Sequence, residues 1–464
     1  MLSFPLYYGK EDPMDKKKSA TLMTEGSIAK ALFRFSMPIL LGNIFQQLYN
    51  TADALIVGNY LGNTSLAAVT SVGTVVWLLI GLFGGFSQGS GVIIARYFGS
   101  GNRERLEKAV ATHILLSVVS GLIITAAGVR LSPLIIRLMN TPENVMAQSE
   151  VYLKIYFAGG LGLAVYNGCT GLMQAVGDSR HPLYYLIFSS CINVVLDILF
   201  IRGFGMGVEG AALATIIAQF VSAILCMKRL FTTEEVYRVD LRTLRFDGDI
   251  LKLIFKYGTP AALQNAVTSF ANTMLQANIN VFGDMAMGGL GAVSKIEGFM
   301  TMPTTSLSTA LATFTSQNLG AEQSERAKKG AIYGTLSAIA IAVAGGIVMV
   351  LFGSSLIRLF TKEPEAVAYG MMRIRIVAGF YFALAATHAL AGVMRGAGKP
   401  MVTMIAFVGF WCVLRIFILS VLVPIYHSIE LVIAVFPITW SLSTLFLVIY
   451  AFKGNWLHPK DMRE

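Results

Sequence analysis

Two aspartates and two neutral oxygen-bearing side chains lie within long apolar stretches of the sequence. Asp53 lies in the first of these stretches, Asn193 and Asp197 lie in the fifth, and Thr215 lies in the sixth. Residues four apart in a helix share a face, so Asn193 and Asp197 are expected to point the same way. Because an ionisable side chain inside a membrane costs about 3 kcal/mol, both carboxylates are candidate functional groups.

The two aspartates are predicted to lie at the same depth. Asp53 comes five residues before Gly58, and Asp197 comes six residues before Gly203, with both glycines at the predicted outer ends of their helices. A rise of 1.5 Å per residue places both carboxylates roughly 8–9 Å inside the outer surface, and Thr215 roughly 12 Å inside it.

This set of side chains predicts one of two kinds of cation chemistry. Two carboxylates, an amide oxygen and a hydroxyl form a cage of hard oxygen ligands, which suits an alkali cation such as Na⁺. Two carboxylates held close together at low dielectric can instead share a proton. A third interpretation is purely structural, with the polar groups hydrogen-bonded only to fasten the first helix to the fifth.

The composition is that of an integral membrane protein. Of 464 residues, 55% are hydrophobic and 13% are charged, and the mean hydropathy is +0.66. The ranges 66–95 and 332–356 contain no Lys, Arg, Asp or Glu, and runs of this length predict membrane-spanning helices. A soluble fold is therefore excluded. The four cysteines lie in apolar stretches without metal-binding or pairing patterns, and we interpret them as small buried hydrophobic residues.

Twelve spans are predicted, at 33–58, 65–95, 106–129, 150–176, 183–203, 208–230, 250–281, 287–316, 329–353, 366–394, 400–424 and 429–452. Lys and Arg are concentrated at the termini and in the even-numbered loops, so both termini are expected on the cytoplasmic side. The predicted organisation is a tail at 1–27, an N-lobe at 28–230, a linker at 231–249, a C-lobe at 250–452 and a tail at 453–464. No cleaved signal peptide is expected in the polar first 27 residues.

The two lobes are predicted to be repeats of one another. Gly99 and Gly320 are 221 residues apart, and Pro38 and Pro260 are 222 apart. The segment 171–177 matches the segment 392–398 at an offset of 221. Six helices per copy make these parallel repeats, which place substrate sites near the membrane midplane between the lobes and favour transport by alternating access.

The sequence resembles the multidrug and toxic compound extrusion (MATE) transporters over nearly its whole length, and most closely their prokaryotic DinF-like branch. The resemblance is carried by Pro38, by the runs 53–58 and 98–101, by the duplicated glycine-rich segments at 171–177 and 392–398, and by the run 207–215. It implies an all-helical integral membrane fold with twelve transmembrane helices in two pseudo-symmetric lobes.

The resemblance also implies a function. It predicts export of organic, often cationic, compounds by antiport with Na⁺ or H⁺, at the plasma (inner) membrane of a prokaryote. Asp53, Asn193, Asp197 and Thr215 match the family's cation site, and Asn167 matches a further asparagine of that site. No cofactor is expected beyond the coupling ion, no enzymatic activity and no nucleic-acid partner, and the transporter is expected to be a monomer in the lipid bilayer.

The second half lacks a matching carboxylate pair. Leu275 stands where the repeat would place Asp53, and Arg415 stands opposite Asp197. Cation coupling is therefore predicted to involve the N-lobe alone. For the second half we predict either a cavity role or a salt bridge between helices, perhaps with Arg415, for Lys295 and Glu297, and a buried hydrogen-bonding role for His388. Possible polar cavity contacts are Gln264, Asn265, Asn278 and Asn280.

Two further patterns bear on packing and on rival functions. Gly81, Gly85 and Gly89 recur every four residues, which predicts close packing of the second helix. The alternative functions are a lipid-linked oligosaccharide flippase of the same superfamily and a passive channel. An ATP-driven pump is excluded, because the glycine-rich run 396–399 is followed by Pro400, where a phosphate-binding loop needs Ser or Thr.

Overall fold

The computed structural model describes residues 22–139 and 141–457, and this part of the chain is built from long α-helices. The first half contains α1 (Ile28–Leu61), α2 (Asn63–Ser100), α3 (Arg103–Leu138), α4 (Glu143–Ala158), α5 (Gly160–Ala175), α6 (Arg180–Gly203) and α7 (Val208–Thr232). The second half contains α8 (Gly248–Asn280), α9 (Asp284–Gly320), α10 (Ser324–Arg358), α11 (Pro364–Gly396), α12 (Pro400–Tyr426) and α13 (Ile429–Lys453).

The predicted all-helical fold is confirmed within the described residues. Each of the twelve predicted spans falls on one of these helices, with α4 and α5, interrupted at Gly159, together forming the fourth. Eight of the described helices are long and apolar enough to cross a membrane, whereas α8 and α9 are equally long but carry more polar residues. Most of the two predicted tails lies outside the described residues.

The helices extend beyond the apolar core of a bilayer. A helix of 36 residues, such as α3, is about 54 Å long, whereas the hydrocarbon core is about 30 Å thick. The protruding first turn of α3 is charged, with Nζ of Lys108 2.7 Å from Oε1 of Glu104. The start of α8 is capped by Asp247, which accepts hydrogen bonds from the backbone of Asp249 and Ile250. Such polar ends fix where each helix meets water.

The two halves pack together through α2, as the glycine pattern predicts. A Cβ atom on Gly85 would lie 2.2 Å from the backbone nitrogen of Ala262, and one on Gly89 would lie 2.5 Å from that of Gly258. The backbones of α2 and α8 are therefore in direct contact, which only a residue without a side chain permits. Three of the four cysteines are buried, as predicted, but Cys191 is exposed on α6.

At one end of the bundle, the two halves close against each other. Cβ atoms on Gly99 and Gly320 would lie 2.1 Å from the carbonyl oxygens of Gln317 and Arg96, respectively. Ser316 Oγ donates to the carbonyl of Val92 at 2.7 Å across the same seam. This is the end that the distribution of Lys and Arg predicts to be cytoplasmic. We call this contact region, residues 92–99 against 316–320, the seam.

The second half is held together by a buried ion pair. Glu297 of α9 accepts from Arg373 of α11, and also from Tyr381 Oη at 2.7 Å. Arg373 donates in turn to Ser294 Oγ at 2.8 Å and lies over the ring of Phe436, 4.6 Å from its centroid. With these partners, both charges of the pair are accommodated away from water.

The ion pair should make a large contribution to stability. Glu297→Gln leaves the guanidinium of Arg373 without a counter-charge, and we expect a loss of about 3 kcal/mol or more in the free energy of unfolding. The measurement is the thermal unfolding midpoint of the purified protein in detergent. Lys295→Gln is the control, because Lys295 is exposed. Equal midpoints for the two variants would contradict this role for the pair.

The seam should fail to close when a side chain is added to it. Gly99→Ala places a methyl group where the carbonyl of Gln317 lies, so we expect the halves to separate at this end and transport to fall at least about tenfold. Distances between spin labels on the two halves would report the separation. Gly73→Ala is the matched control on the same helix, where a Cβ atom meets nothing within 4 Å. Unchanged distances in Gly99→Ala would contradict the prediction.

Candidate functional site

The structure brings the two predicted carboxylates together. Asp53 of α1 and Asp197 of α6 lie close enough to share a hydrogen bond. Asp197 is fully buried, and Asp53 is half-buried. On each residue, Oδ1 is buried and has no hydrogen-bond partner. Buried polar atoms are almost always satisfied, so two orphaned carboxylate oxygens side by side suggest a missing cation or proton.

Asn193 and Thr215 complete the cluster as predicted. With its amide oriented to suit its neighbours, Asn193 donates to Asp197 Oδ2 at 3.3 Å and accepts from the backbone nitrogen of Thr215 at 3.3 Å. Thr215 Oγ1 donates its own hydrogen to the carbonyl of Ala211 at 3.0 Å. The hydroxyl oxygen therefore keeps its lone pairs free to coordinate a cation. We call Asp53, Asn193, Asp197 and Thr215 the carboxylate cluster.

A group of tyrosines around this cluster was missed in the sequence analysis. Tyr49 of α1 and Tyr152 of α4 lie within electrostatic range of both carboxylates. Tyr156 stacks on Tyr152, with ring centroids 6.3 Å apart, and its hydroxyl accepts from Gln219 at 3.4 Å. The sequence did contain a signal, since Tyr49 precedes Asp53 by four residues and so shares its helical face.

A cavity of about 790 Å³ lies between the two halves, next to the carboxylate cluster. Asn193 and Thr215 line its wall, whereas neither carboxylate does. Asn167 also lines the wall, but its amide donates to the carbonyl of Leu163 at 2.8 Å, and no hydrogen bond links it to the cluster. The cluster is thus separated from the cavity by its own amide and hydroxyl members.

The proposed cavity contacts of the second half divide into two groups. Gln264, Asn265 and His388 line the cavity, and Asn265 also donates to the carbonyl of Gly81 at 2.8 Å. Asn278 and Asn280 lie outside it. Asn278 donates to the carbonyl of Met274 at 2.9 Å, and Asn280 accepts from Gln276 at 2.9 Å. Both bonds lie within α8, so these two asparagines serve their own helix.

The predicted charged candidates of the second half lie outside the cavity lining. Lys295 is exposed, with Nζ 5.7 Å from the ring centroid of Phe360. Glu297 does form a salt bridge between helices, but its partner is Arg373 rather than Arg415. Arg415 instead donates to Asn272 Oδ1 at 3.1 Å. Sequence spacing could not identify Arg373, because it lies 76 residues from Glu297 and is one of many basic residues.

Amide and hydroxyl side chains dominate the polar surface of the cavity. Among the described residues that line it there is no Asp or Glu, and the basic ones are His388 and Arg395. Tyr49, Tyr166, Phe407 and Trp411 supply aromatic surface. The sequence analysis had not singled out Arg395 as a candidate, although it lies in the duplicated segment 392–398.

Sequence relatives share this architecture over most of their length. A family model described as MatE matches the chain twice, at residues 38–199 and 260–421. The chain is 32% identical to the probable multidrug resistance protein YpnP of Bacillus subtilis, with 84% of this chain and 87% of the relative covered. It is 24% identical to the FAD transporter of Shewanella oneidensis, with 82% and 84% covered.

Solved structures share the fold. A MOP superfamily transporter from Pyrococcus furiosus superimposes with a TM-score of 0.87 at 24% identity, covering 94% of this chain and 97% of that one. A MATE transporter in the bent conformation superimposes with the same score at 23% identity and the same coverage. Since one family model matches both halves and a relative is 32% identical over most of its length, the chain belongs to the MatE family of multi-pass membrane transporters.

Proposed function

We propose that this protein is a secondary active exporter of organic compounds, driven by Na⁺ or H⁺ moving into the cell through the carboxylate cluster. The observation that carries the proposal is the pair of buried carboxylates with unsatisfied oxygens beside the central cavity. Relatives named as multidrug resistance proteins and as an FAD transporter support an organic cargo.

The cluster can convert cation binding into helix movement. Two unloaded carboxylates on α1 and α6 repel each other, and a cation or proton between them removes that repulsion. Asp53, Asn193, Asp197 and Thr215 would hold the ion, which supplies the positive charge that draws α1 towards α6. Because α1 also packs against α9 of the other half, a shift of α1 reaches the interface between the lobes.

Alternating access then requires the seam to open. With the seam closed, the cavity is shut off at the end predicted to be cytoplasmic, so the present arrangement corresponds to an outward-facing state. Opening towards the cytoplasm separates α2 from α9 and breaks the contacts of Gly99 and Gly320. Pro38, within α1, removes one backbone hydrogen bond and provides a point at which that helix can bend.

A lipid-linked oligosaccharide flippase is the second candidate, and one observation favours it. Flippases of this superfamily are expected to have cationic cavities, and the cavity here has Arg395 and no acid in its described lining. The expected larger helix number of flippases opposes it, since the described helices make up twelve spans. Translocation of a fluorescent polyprenyl diphosphate sugar in liposomes would distinguish the two functions.

Loss of either carboxylate should abolish coupling. In liposomes containing the full-length protein, with Na⁺ and H⁺ gradients imposed separately, we expect one gradient to drive export of organic dyes, assayed with both cationic and anionic probes. Asp53→Asn and Asp197→Asn should each reduce that gradient-driven export at least about a hundredfold, because a neutral amide neither repels its partner nor binds the cation with charge. Both substitutions preserve side-chain size, so the variants should insert and fold.

The control is Glu150→Gln, which removes a carboxylate from a surface pair with Lys154 on α4. It should transport at the wild-type rate. Wild-type coupled transport by Asp53→Asn or Asp197→Asn would refute the coupling role of the cluster, and the gradient that drives export identifies the ion.

A further inference from the structure

The two repeats contribute equivalent positions to the cavity wall. Ser87, Asn167 and Gln174 of the first half are each 221 residues from a counterpart in the second half, namely Ser308, His388 and Arg395. All six side chains line the cavity. The cavity therefore has two related faces, one from each half, and their chemical differences can be read position by position.

The backbone framework of the two faces is the same. Ser87 Oγ donates to the carbonyl of Asn167 at 3.4 Å, and Ser308 Oγ donates to the carbonyl of His388 at 2.5 Å. The neighbouring glycines are equally crowded, since a Cβ atom on Gly171 would meet Ser87 Oγ at 2.3 Å. A Cβ atom on Gly392 would meet the carbonyl of Ser308 at 2.2 Å. What differs between the faces is charge, because two neutral amides are replaced by an imidazole and a guanidinium.

Arg395 is held in place without a counter-charge. Its Nη2 donates to Ser308 Oγ at 3.0 Å, and the same hydroxyl donates to the carbonyl of His388. Within the described residues, Arg395 forms no salt bridge. A guanidinium has five N–H donors in a fixed fork, so most of its hydrogen-bonding capacity is directed at the cavity rather than at the protein.

The acids of the protein do not neutralise this site from the cavity lining. Asp53 and Asp197 lie behind Asn193 and Thr215, and Glu297 is bound to Arg373. A second guanidinium, that of Arg415, lies behind the wall, where it donates to the lining residue Asn272. The second-half face of the cavity is therefore positive.

An aromatic surface adjoins the positive face. The rings of Phe407 and Trp411 lie 4.5 Å apart between centroids, and the ring of His388 packs edge-on against both, at 5.7 and 5.5 Å. Both aromatic residues line the cavity. Flat apolar surface beside an unpaired guanidinium is complementary to a planar molecule that carries a carboxylate or phosphate group.

We propose that the cavity binds planar organic anions, with the anionic group on Arg395 and the ring system against Phe407 and Trp411. This inference rests on the proposed exporter function for its physiological meaning, but binding can be tested without transport. It differs from the expectation of cationic cargo that the sequence resemblance implied. Arg395 is then the residue that determines the sign of charge the cavity accepts.

The test uses two xanthene dyes that share a ring frame and differ in charge. Carboxyfluorescein is the anion and rhodamine 6G is the cation, and binding of each to the full-length protein in detergent is followed by fluorescence polarisation. We expect carboxyfluorescein to bind at least about tenfold more tightly than rhodamine 6G. Arg395→Gln, which copies the first-half residue Gln174, should weaken carboxyfluorescein binding at least about tenfold, as expected for a charge-assisted hydrogen bond.

Two further variants separate binding from folding. Arg395→Lys keeps the charge and should retain most of the affinity, which a merely structural requirement for arginine would not predict. Asn278→Ala lies outside the cavity and should bind both dyes like the wild type. Preferred binding of rhodamine 6G, or an unchanged affinity for carboxyfluorescein in Arg395→Gln, would overturn the inference.

The outcome is distinguishable from that of the exporter proposal. If carboxyfluorescein binds through Arg395 but neither dye is moved by a Na⁺ or H⁺ gradient, the binding inference stands and the exporter proposal fails. If rhodamine 6G alone binds and is exported, the exporter proposal stands and the inference about Arg395 is wrong.

Discussion

Charge inside a bilayer must be balanced locally, and this constraint organises the molecule. The chain meets it in different ways in its two halves. In the second half, the charge of Glu297 is balanced permanently by Arg373, with Tyr381 and Ser294 completing the hydrogen bonds. In the first half, Asp53 and Asp197 face each other without any built-in cation. A balanced pair gives a rigid lobe, whereas an unbalanced pair gives a lobe whose conformation depends on what it binds.

The same constraint accounts for the central cavity. The lining is made of amides, hydroxyls and aromatic rings, which tolerate either water or a ligand, and its free guanidinium belongs to Arg395. The carboxylate cluster is separated from that guanidinium by the width of the lining rather than by sequence. Cation and cargo can thus occupy the protein without competing for the same atoms, and their coupling must pass through the position of α1.

Much of the fold and part of the site could be predicted from the sequence. Apolar length gave the spans, and spacing of four placed Asn193 with Asp197, because both signals are local. Asn278 and Asn280 were wrong as cavity contacts because α8 carries polar residues on more than one face, and periodicity alone does not say which face is central. Arg373 and Arg395 were missed because their roles depend on partners from other helices. The tyrosines around Asp53 were missed because tyrosine is common in membrane helices.

The seam has a property of a symmetric dimer. Gly99 meets Gln317 while Gly320 meets Arg96, and moving each partner by one repeat length turns the first contact into the second. In an assembly of identical subunits, such reciprocal contacts define an isologous interface with a two-fold axis. The single chain therefore preserves the geometry of a homodimer of six-helix units. Fusion of the two units removed the need for them to stay identical, which left the surface around the axis free to acquire a different charge on each side.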